Sequence, residues 1–142
     1  MTNNSKWARI WAAFFARWVL GLIFFMAGVY KVFEMGATVH ASTLFVEPYR
    51  DTFLPVWSLW LTGTLIPFVE LIGGALLIVG WRIHEAALAL GSVLVVVTFG
   101  HLLMEPLYAF NRHVFPRLIL LIIVLVLHDD DRFCLDRLLA SS

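Results

Sequence analysis

The chain has 142 residues, 61% of them hydrophobic and 14% charged, with Lys and Arg together numbering 10 and Asp and Glu together numbering 10. With a mean hydropathy of +0.89, this composition excludes an ordinary soluble domain, whose apolar share is well below it. A net charge of zero gives no electrostatic case for binding nucleic acid.

A helix needs about twenty apolar residues to cross a hydrocarbon core of about 30 Å. Apolar runs at about 11–33, 57–80, 85–104 and 113–127 predict an all-α, polytopic membrane protein built as a four-transmembrane-helix bundle. The bundle occupies residues 11–128, between an N-terminal segment 1–10 and a tail 129–142. Short and moderate connections leave no room for a second core, so one domain is expected.

The first run follows MTNNSKWARIWAAFFARW, which lacks a small-residue cleavage site ahead of its apolar part, so this helix is expected to stay in the mature protein. At about 100° per residue, Arg17, Gly21, Phe24, Gly28 and Lys31 fall close to one line. Small residues permit close helix approach and charges in hydrocarbon need partners, so that line is expected to face into the bundle.

The connection from Glu34 to Val56 contains TLFVEPYRDTFLPVW, which mixes apolar and aromatic residues with Glu47, Arg50 and Asp51 and is broken by Pro48 and Pro55. It fits either a short amphipathic element that partly covers the bundle mouth or a loop held by interfacial aromatics. Trp7, Trp11, Trp57, Trp60 and Trp81 fall near the expected membrane boundaries.

In the second run, Glu70 shares a face with Gly63, Pro67 and Gly74. Arg17 lies about 9 Å inside Trp11, and Glu70 about 15 Å inside Gly80, at about 1.5 Å per residue. These depths overlap once side-chain length is allowed for, which predicts an intramembrane Arg17–Glu70 ion pair. An unpaired charge at that depth costs at least about 2.5–3.5 kcal/mol. Such a pair fixes helix register and orientation, or serves a ligand. Gly21, Gly28, Gly73 and Gly74 are the expected helix-packing positions.

Beyond the tight Trp81–His84 turn, Thr98, His101 and Glu105 share a face of the third helix, and Arg112, His113 and Arg117 open the short fourth one. Lys31, His101, Glu105 and Arg117 thus form a candidate quinone or proton-relay cluster, with Glu34 and His40 nearby. The bland alternative is a set of interfacial charges satisfied by headgroups and water. His101 and Glu105 have i, i+4 spacing, but two ligands do not make a metal site, and no metal is assigned.

The tail HDDDRFCLDRLLASS reads as a surface helix or a solvated end. Its Cys134 is the single cysteine, which rules out an internal disulfide and any dithiol mechanism within this chain. Lys6, Arg9, Arg82, Arg132 and Arg137 on one side, against Arg50 and Arg112 on the other, predict cytoplasmic termini.

RWVLGLIFFMAGVYK at Arg17–Lys31 and PFVELIGGALLIVGWR at Pro67–Arg82 carry a resemblance to the DoxX family of small four-helix bacterial membrane proteins, extending over about Ala16–Leu127. The resemblance implies a multi-pass protein of the bacterial cytoplasmic (inner) membrane. Its members are similar to the small DoxD-type subunit of thiosulfate:quinone oxidoreductase, and others are linked with membrane redox complexes or oxidative-stress defence. The family's charged positions carry over to Arg17, Lys31 and Glu70, and no catalytic role comes with them.

The resulting expectation is a membrane subunit of a quinone-associated redox complex, without a redox centre of its own. Quinone is then the ligand, and another membrane or redox protein the partner beside membrane lipid. The alternative is a non-enzymatic anchor, assembly or lipid-binding protein, and self-association fits either. A small oligomeric transporter is a third reading.

Overall fold

The computed structural model describes residues 3–106 and 114–140. Among these the chain is mainly helical, with no strand. The elements are α1 (Asn3–Val29), α2 (Ala37–Ala41), the single turn α3 (Glu47–Tyr49), α4 (Val56–Val79), α5 (Ile83–Met104), α6 (Val114–Leu127) and α7 (Leu135–Ala140). The expected fourth helix starts at His113, and Arg112 and His113 lie outside the described residues.

α1, α4, α5 and α6 pack in a ring, each against the next, and α6 closes back on α1. Among the described residues three stretches are long and apolar enough to cross a membrane: Asn4–Glu34, Val56–Val79 and Ile83–Met104. At about 1.5 Å per residue α6 alone rises about 21 Å. Large apolar side chains such as Leu22, Met26, Leu65, Ile72, Val95, Ile122 and Val126 point outward. In a bundle of this length, that apolar exterior is a lipid-facing surface.

The buried stripe of α1 runs through Ile10, Ala13, Arg17, Leu20, Gly21, Phe24 and Gly28, the i, i+3/i+4 spacing of one helix face. It lies against α4 with the two backbones nearly touching. A Cβ on Gly28 would run into the backbone nitrogen of Leu71, one on Gly74 into that of Phe25, and one on Gly21 would sit 3.1 Å from that of Ile78. Gly73 instead faces α5, where a Cβ would meet the flexible end of Leu90 at 2.9 Å.

α4 ends at Gly80, whose φ of 75° only glycine adopts freely. The N–H groups of Gly80 and Trp81 both return to the Leu76 carbonyl, at 2.8 and 3.0 Å, closing the helix end. The Gly80 N–H also reaches the Leu77 carbonyl at 3.2 Å, and Arg17 adds donors to the carbonyls of Leu77 and Ile78. One terminal nitrogen of its guanidinium donates to Leu77 O (2.6 Å) and Ile78 O (2.9 Å), and the other to Phe133 O (2.7 Å). Nε donates to the Asp131 carboxylate at 2.5 Å.

The expected Arg17–Glu70 pair is therefore corrected: Arg17 pairs with Asp131. Glu70 lies seven residues, or about 10 Å, deeper along α4 than Leu77. Meanwhile the C-terminal end of a helix is itself an attractive site for a cation.

The tail is not a solvated end. Asp131 and Cys134 are buried, and Cys134 packs on Gly80. Asp136 reaches across to accept from the backbone N–H of Arg82 (2.9 Å) and Ile83 (3.1 Å), capping the start of α5 with a carboxylate. Arg9 pairs with Asp130. Burial pushes the Cys134 thiol above its ordinary range, which keeps it protonated and unreactive.

Candidate functional site

The opposite end of the bundle is built differently. α1 runs into a π-turn over Tyr30–Glu34, a widening that often marks functional positions, and Lys31 lies on it. Its ammonium reaches inward to the Glu70 carboxylate at 2.5 Å. Glu70 thus pairs with Lys31, just past the C-terminal end of α1, rather than with Arg17 at its middle.

Pro67 lies in the interior of α4 and has no N–H to offer the carbonyl four residues back, which belongs to Gly63. His40 of α2 fills the gap, its Nδ1 lying 2.8 Å from Gly63 O. Because a carbonyl only accepts, Nδ1 carries the proton. α2 can come this close because Gly63 has no side chain: a Cβ there would lie 2.7 Å from Ala41 Cα. The connection between α1 and α4 is therefore a helical cover docked on α4, with His40 and Ala41 as its buried anchors.

Beneath the cover, between α4 and α5, lies a cavity of about 360 Å³ with a mainly apolar lining. Leu44, Phe45, Leu59, Ile66 and Phe99 contribute to that lining, and Lys31, His40, Tyr49 and His101 are its ionisable groups. Tyr49 completes the roof, its hydroxyl close over Gly100 of α5. A second cavity of about 220 Å³ lies beside Glu70 and Arg117 and shares Lys31, Val97 and His101 with the first. His101 is oriented by Nδ1 donating to Val97 O at 2.8 Å, and Arg117 stacks its guanidinium over the Phe24 ring at 5.7 Å.

The structure brings Lys31, His101 and Arg117 of the expected cluster together, and corrects its fourth member. Glu105 is exposed at the end of α5 in extended backbone and lines neither cavity. Leaving the helix turns its side chain off the face it would share with His101. The carboxylate of the site is Glu70.

His40 was the residue that spacing did not single out, although Pro67 was a usable signal, since a proline inside a membrane helix orphans a known carbonyl. Among the described residues no group of three metal-ligating side chains occurs. Burial holds the His40 pKa below its ordinary value, opposed by the bond to Gly63; Lys31 lowers it further and Glu70 raises it.

Chemically, the arrangement offers an ammonium, two imidazoles and a carboxylate in an apolar enclosure. That suits hydrogen bonding to a small polar ring and the movement of protons near it. No curated protein and no solved structure matches the chain. The DoxX family model matches residues 12–102, which takes in two thirds of α1, the cover, α4 and nearly all of α5, so that every wall of the larger cavity lies within the match. The chain belongs to the DoxX family.

Proposed function

We propose that the protein is an integral membrane subunit of a quinone-linked redox complex and that it holds the quinone head in the cavity beneath α2 and α3. The observation that carries this reading is the cavity itself. It has a largely apolar volume of about 360 Å³, within the range of small-molecule sites, with Lys31 and His101 as polar groups on its wall. An isoprenoid tail would leave between α4 and α5 towards lipid. Electrons would come from a partner protein, since the chain's one cysteine cannot form a dithiol couple by itself.

The charge distribution supports an orientation with both termini in the cytoplasm of a bacterium and the cavity at the outer face of its inner membrane. Lys6, Arg9, Arg82, Arg132 and Arg137 fall at the end where α4 meets α5 and the tail folds back, while Arg50 lies in the cover. The alternative role as an anchor finds less support. Gly21, Gly28 and Gly74 are occupied by packing between α1 and α4 within the monomer, so they are not available to a partner helix.

Native mass spectrometry of protein purified in mild detergent, with organic extraction of whatever co-purifies, tests the reading. A quinone bound to wild type and absent from a folded Lys31→Met/Glu70→Leu variant is expected. Protein carrying phospholipid alone, in both forms, would overturn it.

A further inference from the structure

Pro67 has consequences for what the cavity can bind. It orphans the Gly63 carbonyl, which takes the Nδ1 proton of His40. A neutral imidazole protonated at Nδ1 has its lone pair on Nε2, so this side chain enters the cavity as an acceptor. His40 is only 2% exposed and its ring belongs to the cavity wall. Nδ1 alone of its two nitrogens has a protein partner among the described residues. No buried side-chain nitrogen there is both sealed and unpaired. Nε2 therefore opens onto the cavity.

Lys31 is a polar group of the opposite kind. The Lys31 ammonium gives one hydrogen to Glu70 and has two more, and it forms part of the same wall. The cavity thus presents a held acceptor and a held donor in a mainly apolar lining whose other polar side chains are His101, Tyr49, Ser58 and Thr62. A quinone, whose two oxygens only accept, can satisfy Lys31 but leaves Nε2 desolvated and unpaired, which is costly. A hydroquinone satisfies both, donating one hydroxyl to Nε2 and accepting from Lys31 at the other oxygen.

Resting on the quinone reading of this cavity, we infer that His40 makes it selective for the reduced, hydroxyl-bearing ring. His40 is then a specificity-determining residue.

The test uses full-length protein in detergent at pH 7.5 and three probes: tetramethylhydroquinone kept under argon, its dimethyl ether, and tetramethylbenzoquinone. Binding is followed by quenching of tryptophan fluorescence. Wild type should bind the hydroquinone about tenfold more tightly than either of the others, the worth of one buried hydrogen bond. His40→Asn keeps a side-chain N–H for the Gly63 carbonyl and removes Nε2, so the preference should fall to about unity with the protein folded.

Should that variant not fold, nitrogen NMR of histidine-labelled wild type carries the test. The Nε2 signal of His40 should shift with the hydroquinone and stay in place with the ether. Equal binding of all three rings, or tighter binding of the quinone, would overturn the inference while leaving the quinone reading intact. Failure of every probe to bind wild type would overturn both.

Discussion

Two ion pairs are anchored on the first membrane helix, Arg17 midway along α1 and Lys31 just past its C-terminal end, and they are built to opposite standards. Arg17, 1% exposed, spends its donors on one carboxylate and three carbonyls, and Asp131 also accepts from Phe133 N–H. Neither cavity touches either residue. Lys31 and Glu70 have each other; Glu70 is buried, but Lys31 is partly open and borders both cavities. A saturated pair holds a fold together, whereas a pair with spare donors facing space is equipped to meet something else.

The comparison breaks most readily at the saturated end. Asp131→Ala leaves a buried guanidinium without its anion, and loss of one partner of such a pair costs about 3–5 kcal/mol. The melting temperature in detergent should collapse. Equal stability of variant and wild type would show that the tail is not part of the bundle.

Next in size is Gly28→Ala, where a methyl group meets α4 backbone rather than a side chain that can move. Overpacking of this kind costs about 1–3 kcal/mol. Gly73→Ala, which meets only the end of Leu90, should cost clearly less. A reversed order in thermal melts would mean that the close approach of α1 and α4 is not as described.

At the open end, His101→Ala should leave the melting temperature within a few degrees of wild type and weaken quinone binding severalfold through lost contact with the cavity wall, since the Nδ1 proton goes to Val97 O and Nε2 has no hydrogen for a quinone oxygen. Glu105→Ala should change neither. Parallel effects of the two substitutions would place Glu105 back in the cluster.

The smallest effect is a pH dependence. The folded state lowers the His40 pKa below its ordinary value of about 6.5, so it binds fewer protons there than the unfolded chain. The stability tied to neutral His40 is thus present above that value and is lost as the pH falls through and below it. Lys31 and Glu70 act on His40 across the cavity in opposite senses. Melts at pH 7.5 and 5.5 should show a decline in wild type that is shallower in His40→Asn; identical slopes would contradict this.

How much of this was legible in the sequence follows the range of the interactions. The inward face of α1 was, because Arg17, Gly21, Phe24, Gly28 and Lys31 repeat at helical spacing within one element. The partners of Arg17 were not. Asp131 is 114 residues away in a segment whose three aspartates read as solvated, and only the folding back of the tail makes one of them a core residue. Depth arithmetic placed Glu70 within reach of a cation but could not say from which end that cation would come. The cover lay between two readings because its composition suits both, and the deciding contact, His40 to Gly63, depends on a carbonyl freed by a proline four residues further on.

The most direct measurement takes the double variant Lys31→Met/Glu70→Leu and records its melting temperature and its quinone binding in the same preparation. Replacing both partners with apolar groups of similar size removes the charges without leaving one unpaired. The account predicts a bundle about as stable as wild type that no longer binds quinone. A folded variant that binds as wild type does would show that the Lys31–Glu70 pair is as purely structural as Arg17 and Asp131.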